Sequence, residues 1–209
     1  MNIYLSEDEQ VQKIKEWLKE YGVAIILGIV VFFVANFGWR YFQQYKSNHA
    51  AQASIIYEQL IAAHISRSYN EVELYAKHLR DDYASTPYAG LASLVAARDA
   101  TVKKDLLTAE KDLQWIVAKD KNNGVKQIAR IRLARIFLED KQPQKALEVL
   151  GKVDDTTYLP MVYEVKGDVY LSTGDKNLAI QEYRNAAEAA SENSVTKTIV
   201  EMKINQLLN

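Results

Sequence analysis

Three histidines, two pairs of adjacent aspartates and no cysteine are what this chain offers for building a reactive site. A metal held by imidazoles needs ligands closely spaced on one helix face, as in HExxH. His49, His64 and His78 are 15 and 14 residues apart and fall on separate helical patterns, so they read as polar residues of helix surfaces. Acid–base chemistry by two carboxylates needs them to face one reacting bond from different environments. Asp81-Asp82 and Asp154-Asp155 instead lie beside helix ends, where turns and caps account for them. The missing cysteine excludes thiolate nucleophiles, cysteine metal sites and disulfides. GxSxG, GxGxxG and GxxxxGK[ST] do not occur. The 13 tyrosines suit packing between helices. The reading is a protein without catalytic residues, metal, cofactor or small-molecule substrate.

What remains is the scaffold on which such residues would have stood. Of 209 residues, 48% are hydrophobic and 25% charged, with eight Gly and three Pro. A sandwich or barrel needs more turn residues than that, so the fold class expected is all-α. Lys and Arg number 26 against 27 Asp and Glu, for a net charge of −1. Nucleic acid needs a basic excess to neutralise phosphates, so it is not an expected partner.

From Tyr21 to Trp39 the chain carries no charge, between Glu20 and Arg40. As a helix this stretch measures roughly 28 Å, close to the hydrocarbon thickness of a bilayer. Trp17 and Tyr21 at one end, and Trp39, Tyr41 and Phe42 at the other, suit the headgroup level. Five acids precede the run (Glu7, Asp8, Glu9, Glu16 and Glu20), the run is long, and no A-x-A-like site follows. These features argue against a cleaved signal peptide and for a signal-anchor over residues 21–39. A buried core helix is the other reading of such a run. Lys13, Lys15 and Lys19 before the span outnumber Arg40 and Lys46 after it, a slight excess for a cytoplasmic N-terminus. Residues 1–20 form a tail with a capping pattern, Ser6 and Glu9, and apolar residues at helical spacing. This tail is either a helical lead-in to the span or a docking element.

Residues 40–209 read as a repeat domain. Tyr163–Ala186 places Gly167, Tyr170, Gly174, Ala179, Tyr183 and Ala186 at the offsets of a tetratricopeptide unit. The small residues let two helices approach, and Gly174 permits the backbone of a tight turn. Leu133-Ala134, Phe137, Ala146, Leu150 and Val153 repeat the pattern, with Pro143 opening the second helix. Weaker copies centre on Ala109 and Ala76, so that the alanines at 76, 109, 146 and 179 are 33, 37 and 33 residues apart. The expectation is a helical solenoid capped by a last helix over Val195–Leu208; an irregular helical bundle is the alternative.

In such arrays the first helix of each pair lines the groove. That register puts Ile61, Ile65, Leu91, Leu94, Arg98, Ile131, Arg135, Met161, Glu164 and Asp168 on or near it. The set is largely apolar with charges of both signs, and Glu164 with Asp168 would repel a carboxylate. Only Arg98 and Arg135 could serve a carboxylate, so the register predicts an apolar docking surface for a folded partner or an unfolded client rather than a carboxylate clamp, unless these aliphatic residues are inter-helix core.

GWRY (Gly38–Tyr41) directly after the span, IRLAR (Ile131–Arg135), the Gly167 and Gly174-Asp175-Lys176 turn, and a C-terminal MKIN (Met202–Asn205) occur together. In this combination the chain resembles the YfgM-type ancillary subunits of the SecYEG translocon over essentially its whole length. The resemblance implies a bacterial inner-membrane protein with its N-terminus in the cytoplasm and its C-terminal domain in the periplasm. It also implies partnership with SecYEG and the chaperone PpiD, and a role passing client polypeptides to periplasmic chaperones. An alternative it carries is a regulatory anchor whose cytoplasmic tail restrains a stress-response regulator.

Overall fold

A computed structural model describes residues 7–208, with side chains from residue 10. The Ser6–Glu9 capping pattern lies outside the described side chains. The protein is all-α: α1 is Glu7–Ile65, α2 Tyr69–Asp82, α3 Pro87–Val102, α4 Leu106–Lys119, α5 Asn123–Glu139, α6 Pro143–Leu150, α7 Leu159–Ser172, α8 Lys176–Ala189 and α9 Val195–Leu208. Contacts divide the chain into two units, Met1–His49 and Ala50–Asn209.

The first unit is helical. Among the described residues, α1 carries the one stretch long and apolar enough to cross a membrane, and none of that stretch is buried by protein. All large apolar side chains from Val23 to Trp39 are exposed. A helix apolar all round and covered by nothing is built for lipid. This is the transmembrane helix, and it belongs to no soluble core.

The second unit is a tetratricopeptide-like solenoid. Residues 50–65 of α1 pair with α2, α3 with α4, α5 with α6 and α7 with α8, and α9 packs on α7 and α8 as the terminal helix. Each pair is joined in the same way. Arg67, Lys104, Lys141 and Gly174 take positive φ, at 59°, 64°, 58° and 87°. The following N–H reaches back to the last turn of the first helix: Ser68 to the Ala63 carbonyl, Asp105 to Ala100, Gln142 to Phe137 and Asp175 to Tyr170, at 2.7–2.9 Å. These are Schellman closures, which satisfy carbonyls that a helix end leaves bare. The second helix then starts on a cap where the sequence supplies one. Asp105 accepts from the Thr108 N–H and Asp175 from the Leu178 N–H, while Pro143 opens α6.

The turns also set the register. Ala109, Ala146 and Ala179 stand five residues beyond their positive-φ residues, and all are fully buried. In the first pair that position belongs to Val72, also fully buried, and Ala76 lies one helical turn further on. The sequence spacing through Ala76 is therefore displaced by a turn in that repeat, because both residues face the same core. Between α7 and α8, a Cβ added at Gly167 would stand 2.4 Å from Cε1 of the fully buried Tyr183. The Tyr183 hydroxyl donates to Asp168 at 2.7 Å.

One ion pair is sealed between α2 and α4. Arg80 binds Asp112 at 2.9 Å and Glu73 at 2.6 Å, with the Asp112 side chain 1% exposed. The second Asp112 oxygen has no hydrogen-bond partner. Burial, aided by Glu73 and opposed by Arg80, pushes this carboxyl up from 3.8 to about 7.

Candidate functional site

The first helices of the pairs contribute the face on which a binding site was expected. The residue types there sort by their position around each helix. Leu94 is 8% exposed and Ile131 2%, and both belong to the central core cluster with Leu113, Ile136 and Phe137. They are core residues and not groove residues, because apolar positions on a first helix turn toward the neighbouring pair, where burial is most favourable. Ile61 is half-buried against the first core cluster. Ile65, Leu91 and Met161 are exposed, each on a different first helix.

The charged members come together. Arg135 pairs with Glu164 at 3.1 Å, and Lys203 of α9 pairs with Glu164 at 3.0 Å and Asp168 at 2.7 Å. Asp168 also takes the Tyr183 hydroxyl, and Lys203 lies 5.3 Å from the centre of that ring. The two carboxylates are thus committed to α9, and they do not stand free to repel an acidic ligand. Lys203 escapes a reading by helical period because it reaches Glu164 from 39 residues away.

Arg98 and Arg132, with Arg135, border a cavity of about 230 Å³ between α3 and α5, over Leu113 and Ile136. Arg132 gives a hydrogen bond to the Leu94 carbonyl at 3.3 Å. Partial burial, and then the proximity of Arg135 and Arg98, hold the Arg132 guanidinium below the usual range. Nearer α1, His64 Nδ1 donates to the buried Asp99 at 2.9 Å, a structural pair between α1 and α3. Among the described residues no three His, Asp or Glu side chains gather as metal ligands would.

Both units of the chain, the long apolar helix and the repeats, fall within its likeness to known proteins. The tetratricopeptide repeat-like domain family matches residues 15–209, a range that takes in the span as well as the repeats. A protein of Escherichia coli K12 named ancillary SecYEG translocon subunit is 30% identical, across 99% of this chain and 99% of its own. This chain belongs to that family. Its member in Haemophilus influenzae is 27% identical over 97% of this chain and 98% of its own, and that in Neisseria gonorrhoeae 23% identical over 99% and 100%. The family likeness is continuous from the lead-in of α1 to α9.

The first-helix face offers exposed apolar residues, two arginines that have no carboxylate partner among the described residues, and a pair of acids tied to α9. Among the described residues it brings together no nucleophile–base pair of the kind that acyl or phosphoryl transfer requires.

Proposed function

We propose that this protein is a non-enzymatic, membrane-anchored interaction scaffold of the SecYEG translocon. Residues 1–20 form its cytoplasmic tail, 21–39 its signal-anchor, and 40–209 its periplasmic repeat domain. There it receives translocated polypeptides and passes them to periplasmic chaperones, PpiD among its partners. One observation carries this reading. The likeness to proteins named for the translocon runs unbroken through both the lipid-facing helix and the repeats.

Physics gives the two parts complementary tasks. A solenoid presents a long surface without chemistry of its own. A span confines that surface beside a partner, and the raised effective concentration lets weak contacts suffice.

The test is crosslinking in cells. A photoreactive residue at Leu91 or Met161, both exposed on first helices, should give adducts with translocon subunits, PpiD or secreted clients. An alkaline-phosphatase fusion after Asn209 should be active. Adducts confined to cytosolic proteins, together with an inactive fusion, would reverse the topology and move the function to a regulatory anchor.

A further inference from the structure

The cavity between α3 and α5 combines two features that differ in chemistry. Its floor is apolar, with Leu113 from α4 and Ile136 from α5, both buried in the core. Its rim is cationic, with Arg98 on α3 and Arg132 and Arg135 on α5. Three guanidinium groups around one apolar cavity repel one another, and an anion seated among them relieves that repulsion. Arg135 has Glu164. Among the described residues, neither Arg98 nor Arg132 has a carboxylate within ion-pair distance, and the bond of Arg132 to a neutral carbonyl leaves its charge uncompensated. The chain as a whole is nearly neutral, so this local excess is a property of the site.

We propose that this cavity is a docking site for an extended peptide segment in which an acidic side chain and an aliphatic one stand two residues apart, and so on the same face. The carboxylate bridges Arg98 and Arg132, and the aliphatic side chain fills the cavity over Leu113 and Ile136. Guanidinium groups suit carboxylates because their planar forks give paired, charge-assisted bonds. The apolar neighbour is required by the floor, which a simple inorganic anion would leave in water. A bilayer surface is the other anionic candidate. It is broad and flat, and cannot carry a side chain down to Leu113, so the observations favour a peptide. The proposal deepens the scaffold reading and rests on it for what the segment belongs to, a client or a partner.

The probe is a fluorescein-labelled Leu/Glu peptide of repeating Leu-Ser-Glu-Ser, which sets Leu and Glu on one face, blocked at both ends and measured by anisotropy against the full chain in dodecylmaltoside micelles. Saturable binding is expected that weakens as salt is raised, since the rim charges are solvent-exposed. A matched Leu/Gln peptide should bind at least about tenfold more weakly, and so should the Leu/Glu peptide to Arg98→Gln/Arg132→Gln. Arg184→Gln, on α8 and away from the cavity, should bind as wild type does. Val102 stands exposed on the lip of the cavity. Val102→Glu therefore decides the matter should the double variant lose its helical signal, and it should weaken the Leu/Glu peptide by a similar factor. Three results would each overturn the proposal: equal binding of the Leu/Gln peptide, full affinity in the double variant, or fluorescent phosphatidylglycerol held through the two arginines while no peptide binds. The assay uses no translocon, so its failure leaves the scaffold reading standing, and a failure to crosslink translocon subunits leaves this site standing.

Discussion

Replacing Gly167 by alanine adds one methyl group where α7 and α8 touch, and the structure says what that methyl would meet. It would stand 2.4 Å from Cε1 and 2.5 Å from Cδ1 of Tyr183. Carbon atoms at rest sit about 3.5–4.0 Å apart, so the ring or the helix must retreat by roughly 1 Å. The ring is poorly placed to do so. It is fully buried, its hydroxyl is fixed on Asp168 at 2.7 Å, and Lys203 covers its face. Overpacking of this kind costs about 1–3 kcal/mol. Alanine returns about 0.5–1 kcal/mol because glycine is a poor helix residue. The expected net loss is about 1–2 kcal/mol, or a fall in melting temperature of roughly 2–8 °C for a domain of this size. Circular dichroism of a soluble fragment beginning near residue 46 would measure it. Gly151→Ala is the control, because its added Cβ meets only backbone atoms at 3.5 Å on right-handed helical backbone, and it should leave the melt unchanged or raise it slightly. Combining Gly167→Ala with Tyr183→Leu should recover part of the loss, as a coupling of about 1 kcal/mol in a double-mutant cycle. If Gly167→Ala melted at or above the wild-type temperature, or the cycle showed no coupling, the contact between α7 and α8 would not be what holds these helices at their spacing.

The buried Asp112 makes stability depend on pH in a stated direction. Its carboxyl titrates near 7 when folded and near 3.8 when not, so the folded state holds a proton that the unfolded state has released across that interval. Stability should therefore fall as pH rises from 5 to 8, by up to about 3 kcal/mol, and Asp112→Asn should flatten the slope. Urea titrations at several pH values above 5 would read this clear of the exposed carboxylates with depressed values, whose contributions are lost only under more acid conditions. At the third turn, Lys141 holds φ 58° against the preference of any residue with a β-carbon. Lys141→Val should lose about 1–2 kcal/mol and Lys141→Gly should equal or exceed wild type by up to about 1 kcal/mol, as measured by thermal melts.

The repeats were legible because a close helix contact demands a small residue, and small residues at a regular interval stand out in a sequence. Ala109, Ala146, Ala179 and Gly167 are where that argument puts them. The turns were less legible. Gly174 announces one, but Arg67, Lys104 and Lys141 take the same backbone conformation with side chains that give no sign of it, held there by the Schellman bonds and the packing on either side. This is also why the first repeat was read one turn late: Val72 is not small, whereas Ala76 is.

The candidate surface was legible only in part. Helical spacing finds a face but cannot say which of its apolar residues meet a neighbouring pair, so Leu94 and Ile131 were placed on the surface with Ile65 and Met161. Arg132 stands beside Ile131 in the chain and was passed over, although it borders the cavity. Lys203 changes the charge of the face from the far side of two helices. Contacts between elements decide these cases, and one element's periodicity does not contain them.

The recurring turn gives the domain a ruler whose zero mark is the positive-φ residue. On that ruler the marks at 67, 104 and 141 are 37 residues apart, and the step to Gly174 is 33. The shortfall lies away from the turn itself: α6 has 8 residues where α4 has 14, the connection after it has 8 where that after α4 has 3, and α7 has 14 where α5 has 17. Length variation is thus tolerated at one end of a hairpin and refused at the other. Splice points placed at the marks would therefore yield interchangeable cassettes. A chain lacking residues 104–140 would bring Lys141 to the place of Lys104 with the backbone in phase, so copies could be deleted or duplicated in the history of the array without any turn having to be invented anew.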